Sequence, residues 1–98
     1  MLAPHLDTVG HAQMDDALFQ PTRRGGRLFG RGACDTKGSV AAMFTALSRV
    51  AKNSVRPRET EIVLAALVDE ESNQSGSRAL VASGFRADLA IVGEPTCL

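Results

Sequence analysis

Residues 61–68 read EIVLAALV, and residues 69–71 continue DEE. After a polar start, the first stretch is a continuous apolar run with β-branched members. Such a run reads as a strand covered on both faces. It ends abruptly in Asp69-Glu70-Glu71, where adjacent carboxylates repel one another and call for cations or full solvation. Upstream, Ser39–Lys52 is the clearest helix. Val40, Met43, Phe44, Leu47, Val50 and Ala51 recur on one face, Ser39 stands as N-cap, and the region Asn53–Pro57 ends it. Downstream, Ser75–Ser83 reads as a short helix with Gly84 as its C′ residue. Ala87–Val92 reads as an apolar strand ended by Gly93 and Pro95. At the start, residues 1–6 look like the end of a strand running into a loop at His5. Residues 10–26 look irregular, with Pro21 and Gly25-Gly26, and RLFGRG (27–32) is a short extended piece. The order strand, helix, strand, helix, strand implies an α/β sheet with helices packed on it.

Composition narrows the classes. With 98 residues the chain makes at most one small domain, and a hydrophobic fraction of 44% argues for a packed core rather than disorder. There is no Trp or Tyr, so the core must be Leu, Val, Ala, Ile, Met and Phe. A formal net charge of zero speaks against a nucleic-acid backbone or an anionic membrane as partner. The stretch TRRGGR (22–27) has no aromatic residue beside it and reads as a solvated loop. The longest apolar run, IVLAALV (62–68), is far short of a membrane span. Cys34 and Cys97 lie far apart without CxxC spacing, which points to a reduced, cytoplasmic setting. Nothing resembles a signal peptide, since Pro4, His5 and Asp7 come almost at once.

The chemistry sits at strand ends. His5, Asp35, Glu70, Glu71 and Glu94 all follow expected strands or their short extensions, and ligands in open α/β sheets collect at the carboxyl ends of strands. In His5-x-Asp7 on extended backbone, the two side chains share one side, so the Asp7 carboxylate can accept the imidazole's second N–H. The same residues also fit a surface His beside a turn-forming Asp-Thr. Asp35 fits a helix-entry residue or a metal ligand. GRGACDTKG (30–38) lacks the glycine before the lysine that a phosphate loop requires, and GRG alone is not a dinucleotide fingerprint. Adjacent glutamates at 70 and 71 point in different directions, so one can bind metal while its neighbour faces the attacking water. They also fit a solvated loop. One histidine, several carboxylates and a Glu-Glu pair make the minimal kit for metal-assisted hydrolysis.

Taken together and in order, HLDTV (5–9), GRGACDTKG (30–38), DEE (69–71) and GEPT (93–96) resemble the M20 family of zinc peptidases and deacylases. The resemblance covers nearly the whole chain. It implies a partial α/β/α sandwich of the zinc aminopeptidase-like type, with mostly parallel strands, and residues 1–98 as part of a metal-binding catalytic domain. By the resemblance His5 and Glu94 would bind one metal and Glu71 the other, with Asp35 bridging. Asp7 would orient His5, and Glu70 would be the general base. Two zinc ions are implied, with cobalt or manganese fitting similar ligands. The implied substrate is an N-acyl amino acid or short peptide, and the implied assembly a homodimer through a lid domain.

The chain departs from the family pattern in several places. Pro4 stands where many members have Gly. The family's catalytic domain begins upstream and continues after GEPT through the lid to a last metal-ligand His. Only His5 and His11 occur here, and His11 reads as a loop residue. The chain is therefore expected to be an internal segment, with Met1 at its boundary. The rival expectation is a non-catalytic or truncated relative that at most binds metal.

Overall fold

Strand β1 (Leu2–Ala3) stands at the centre of the sheet. In the computed structural model, which describes residues 1–10, 15–53 and 57–96, β1 is hydrogen-bonded along both edges. On one side the Leu2 N–H donates to Val63 O at 2.7 Å, and Leu2 O accepts from Ala65 N at 2.8 Å. The ladder continues past the strand, with Leu67 N donating to Pro4 O at 2.9 Å and Leu6 N to Leu67 O at 2.8 Å. On the other side Ile91 N donates to Met1 O at 3.0 Å. There β1 pairs with β4 (Ile91–Val92), Leu2 opposite Ile91 and Ala3 opposite Val92. Both pairings are parallel, with Leu64 and Leu67 bridging Leu2 and His5. Chain order and parallel pairing make this an α/β chain, and three carboxyl ends leave the sheet on the same side.

Helices lie between these segments in sequence. Helix α1 (Gly38–Lys52) ends at Asn53, whose backbone is extended. Its start differs from the sequence expectation. Ser39 is inside the helix, and no side chain caps it. A wide turn over Ala33–Lys37 leads in, with Lys37 N bonded to Gly32 O and Gly38 N to Ala33 O. Backbone carbonyls thus satisfy donors that a serine cap would otherwise serve. Val40, Met43, Leu47 and Val50 are half-buried, whereas Ala51 is exposed and Phe44 is 60% exposed. Helix α2 (Ser75–Ala82) runs as expected and closes on Gly84, whose φ of 81° is the left-handed conformation a C′ glycine supplies. His11, residues 54–56 of the helix-ending region and Cys97 lie outside the described residues.

Other expectations need correction. Residues 10–26 are not wholly irregular. Asp16–Phe19 form a 3-10 turn capped by the Asp15 carboxylate, and strand β2 (Thr22–Arg24) pairs antiparallel with β3 (Arg27–Phe29). The Gly25-Gly26 turn between them has φ of 58° and 74°, the positive-φ pair that suits a two-residue hairpin. Residues 61–68 are extended, but they are not covered on both faces: Val68 is 51% exposed. Among the described residues the segment has one strand neighbour, β1. Only Ile91–Val92 of the stretch 87–92 is strand, and Leu89, Ile91 and Val92 are exposed. Packing around an apolar run depends on partners that the run itself does not specify.

Where α2 leaves the acidic loop, its backbone sits directly on the preceding segment. Gly76 N donates to Val68 O at 3.1 Å. A Cβ added at Gly76 would lie 2.7 Å from both Val68 N and Val68 O. Gly76→Ala should therefore lower the stability of the intact protein by about 1–3 kcal/mol, despite alanine's better helix propensity. Gly10→Ala, with nothing within 4 Å of the added atom, should change it by under about 0.5 kcal/mol. Urea unfolding of both variants checks the contrast.

Candidate functional site

The site grows from the ends of the central segments. His5 lies two residues past β1 and is only 2% exposed. Its Nδ1 lies 3.1 Å from the main-chain O of Asp7. A carbonyl can only accept, so Nδ1 carries the hydrogen and donates it. That orients the ring and turns Nε2 toward the acids. Nε2 is 3.0 Å from Asp35 Oδ1 and 3.7 Å from Glu94 Oε1.

Asp7 works differently from the sequence expectation. Its carboxylate lies 3.4 Å from His5 Nδ1, while the carbonyl takes the hydrogen bond. The carboxylate instead accepts the N–H groups of Glu70 and Glu71, each at 3.1 Å, one on each oxygen. Asp7 therefore ties the loop after residues 61–68 to the loop after β1. Asp69, beside it, accepts from Ser75 N at 3.2 Å and holds the start of α2.

These ties assemble a compact ligand set. Ligand atoms of His5, Asp35 and Glu71 lie within 4.8 Å of one another, and so do those of His5, Glu70 and Glu94. The four carboxylates of Asp35, Glu70, Glu71 and Glu94 thus meet around the His5 imidazole. Glu70 is included among atoms at ligating distance, although the sequence reading kept it apart from the ligands. Carboxylates about one imidazole nitrogen form a donor set that suits a borderline divalent cation. The same crowding is unfavourable without a cation or solvent to offset it.

Electrostatics follow the geometry. Burial acts to lower the His5 pKa, but the hydrogen bond with Asp35 and the charges of Glu94, Asp35 and Asp7 outweigh it and leave it raised. Glu94 is also raised, first by desolvation and then by Glu70, Asp35 and Glu71, with His5 opposing. Asp7 is lowered: desolvation acts upward, but the N–H groups of Glu71 and Glu70 prevail.

Two further residues, not singled out from the sequence, brace the site. Lys37 Nζ donates to Leu6 O at 2.6 Å, between His5 and Asp7. Thr36 Oγ1 donates to Gly93 O at 2.6 Å. Both lie beside Asp35 in a motif whose reading stopped at the carboxylate, and nothing in residue type reveals a partner dozens of positions away. A cleft of about 590 Å³ opens beside Asp35 and Glu71, with Thr8, Val9, Leu18 and Phe29 on its walls. A larger cavity of about 670 Å³ lies by Glu59–Val63 and Phe85–Leu89. It touches none of the clustered acids, so the chemistry places the site at the smaller one.

The profile of peptidase family M20/M25/M40 matches residues 1–98. The chain belongs to this family. Among M20 relatives, a succinyl-diaminopimelate desuccinylase of Variovorax paradoxus is 42% identical over 105 residues, covering 100% of this chain and 27% of that protein. One of Alkalilimnicola ehrlichii is 41% identical, covering 96% of the chain and 27% of the relative. A LysW-lysine/LysW-ornithine hydrolase of Sulfurisphaera tokodaii is 36% identical, covering 98% and 25%. The chain therefore spans about a quarter of the length of the M20 relatives it matches. No solved structure gives a significant match.

The double tie through Asp7 has a measurable consequence. In Asp7→Ala the Glu70 and Glu71 amides lose their acceptor, and their hydrogen exchange should quicken by about ten- to a hundredfold, the scale of one hydrogen bond to a charged group. Acid should lower the protection of the same two amides in the wild type, measured against the intrinsic exchange rate at each pH. Because these bonds hold the Asp7 carboxyl low, their contribution is complete above the ordinary carboxyl pKa of about 3.9. It is lost as pH falls through the lower folded-state value. Exchange followed by NMR checks both.

Proposed function

We propose that the whole protein is a metal-dependent amidohydrolase that cleaves an N-acyl amino acid or short peptide. The observation that carries this reading is the meeting of His5, Asp35, Glu70, Glu71 and Glu94 at one sheet edge in a chain of the M20 family. In this reading His5 and Glu94 would hold one metal and Glu71 a second, with Asp35 as a ligand shared by both. Zinc suits one imidazole with carboxylates, and cobalt or manganese fits similar ligands. Bound there, such ions would supply Lewis acidity toward the scissile carbonyl and a hydroxide at neutral pH.

The chain's own residues do the rest. The Asp7 carbonyl holds His5 Nδ1–H, so Nε2 stays available as a ligand. The Asp7 carboxylate holds the Glu70–Glu71 backbone, which keeps both neighbouring carboxylates near His5. Glu70 takes a proton from the attacking water on a carboxylate oxygen. It then delivers that proton to the amide nitrogen as the C–N bond breaks, so the amine leaves neutral. The cleft walls Val9, Leu18 and Phe29 offer apolar surface beside Asp35 and Glu71 for the substrate. Desuccinylase names among the relatives make a succinylated diamino acid the first substrate to try. The same reading places residues 1–98 within a larger catalytic domain of α/β/α sandwich type, in a cytoplasmic protein that dimerises through a separate lid domain.

Two substitutions in the intact protein test the roles. Glu70→Ala should cut turnover by about 10²–10⁴-fold and leave metal content unchanged. Glu71→Ala should lose metal together with activity. Metal analysis and assay on N-acyl amino acids and dipeptides read both. A Glu70 variant that loses its metal makes Glu70 a ligand instead of the base. A wild-type protein that binds metal but turns over none of these compounds supports a non-catalytic relative.

A further inference from the structure

We propose that Thr36 is a positioning residue that locks the Glu94 loop to the Asp35 turn, so that both carboxylates present themselves to His5 together. The proposal rests on the reading of this cluster as a metal centre. Thr36 has no exposed surface, and its hydroxyl donates to the main-chain O of Gly93 at 2.6 Å. Asp35 immediately precedes Thr36, and Glu94 immediately follows Gly93. One hydrogen bond thus joins the backbones that carry two of the acids, across 57 positions of sequence.

The surroundings leave little room for another arrangement. Gly93 is buried, and a Cβ added to it would lie 2.5 Å from Ser39 Cβ and 3.1 Å from Met43 Cε. The Glu94 loop is therefore pressed against the first turns of α1, the helix that the Asp35 turn leads into. In that closed contact water does not readily replace the hydroxyl as donor to Gly93 O, and a buried acceptor left without a donor is destabilising. The carboxylates themselves stay reachable, with the Asp35 side chain 47% exposed and that of Glu94 40%. Thr36 consequently controls where these acids stand without occupying the space a cation would take. Lys37 and Asp7 tie the other loops. Among the described residues, Thr36 supplies the side-chain hydrogen bond to Gly93.

The test separates loss of the hydroxyl from loss of the methyl. In the intact protein stripped of metal, wild type, Thr36→Ser and Thr36→Ala are titrated with zinc against a competing chelator. Thermal unfolding of the metal-free forms is measured alongside. Thr36→Ser should bind zinc like the wild type. Thr36→Ala should bind about 10–100-fold more weakly, the usual effect of removing a residue that orients a ligand. Should Thr36→Ala fail to fold, Thr36→Val keeps the volume, lacks the hydroxyl and takes its place. An alanine variant that is less stable but binds zinc like Thr36→Ser would show a purely structural role and overturn the proposal. So would a serine variant as weak as alanine. A wild type that binds no zinc would instead overturn the reading of the cluster as a metal centre.

Discussion

Parallel pairing of β1 along both its edges decides where His5, Glu70, Glu71 and Glu94 can stand. Leu2 directs both of its main-chain groups to residues 63 and 65, and the opposite edge takes β4. A strand advances about 3.3 Å per residue, and a slip of one residue sends side chains to the opposite face. Such a slip against residues 61–68 would carry Glu70 and Glu71 beyond reach of Asp7. A slip against β4 would separate Glu94 from His5. The hydrogen bonds at the strand ends therefore act as a check on register, since they form in one alignment only.

Around that frame the site concentrates negative charge on a single buried imidazole. His5 is held from behind by a carbonyl and faced by Asp35 and Glu94. Its raised pKa and the raised pKa of Glu94 express the same fact from opposite sides: the cluster favours added positive charge. A proton on His5 answers that demand in part. A divalent cation answers it more fully, because it attracts several carboxylates at once.

Much of this was legible in sequence, and the reason is local. Helix α1 announces itself by the spacing of Val40, Met43, Leu47 and Val50, and Gly84 by its place after an apolar helical stretch. The acids could be placed together because strand order alone sends strand ends to one edge. What was not legible depends on distant partners. The β2–β3 hairpin hides in a stretch whose Gly25-Gly26 pair also fits an open loop. The start of α1 is settled by a backbone turn through Gly32 and Ala33, so a serine in a cap-like place was misleading. Asp7 was read through its neighbour His5, yet its carboxylate serves residues 63 and 64 positions away.

The open flank of β4 bears on self-association. Leu89, Ile91 and Val92 stand exposed beside a strand whose outer main-chain groups have no strand partner among the described residues. An unpaired edge flanked by aliphatic side chains is a template for joining strands from other molecules. Charged or bulky substitutions on this flank should therefore alter self-association more than substitutions on the buried side of β1.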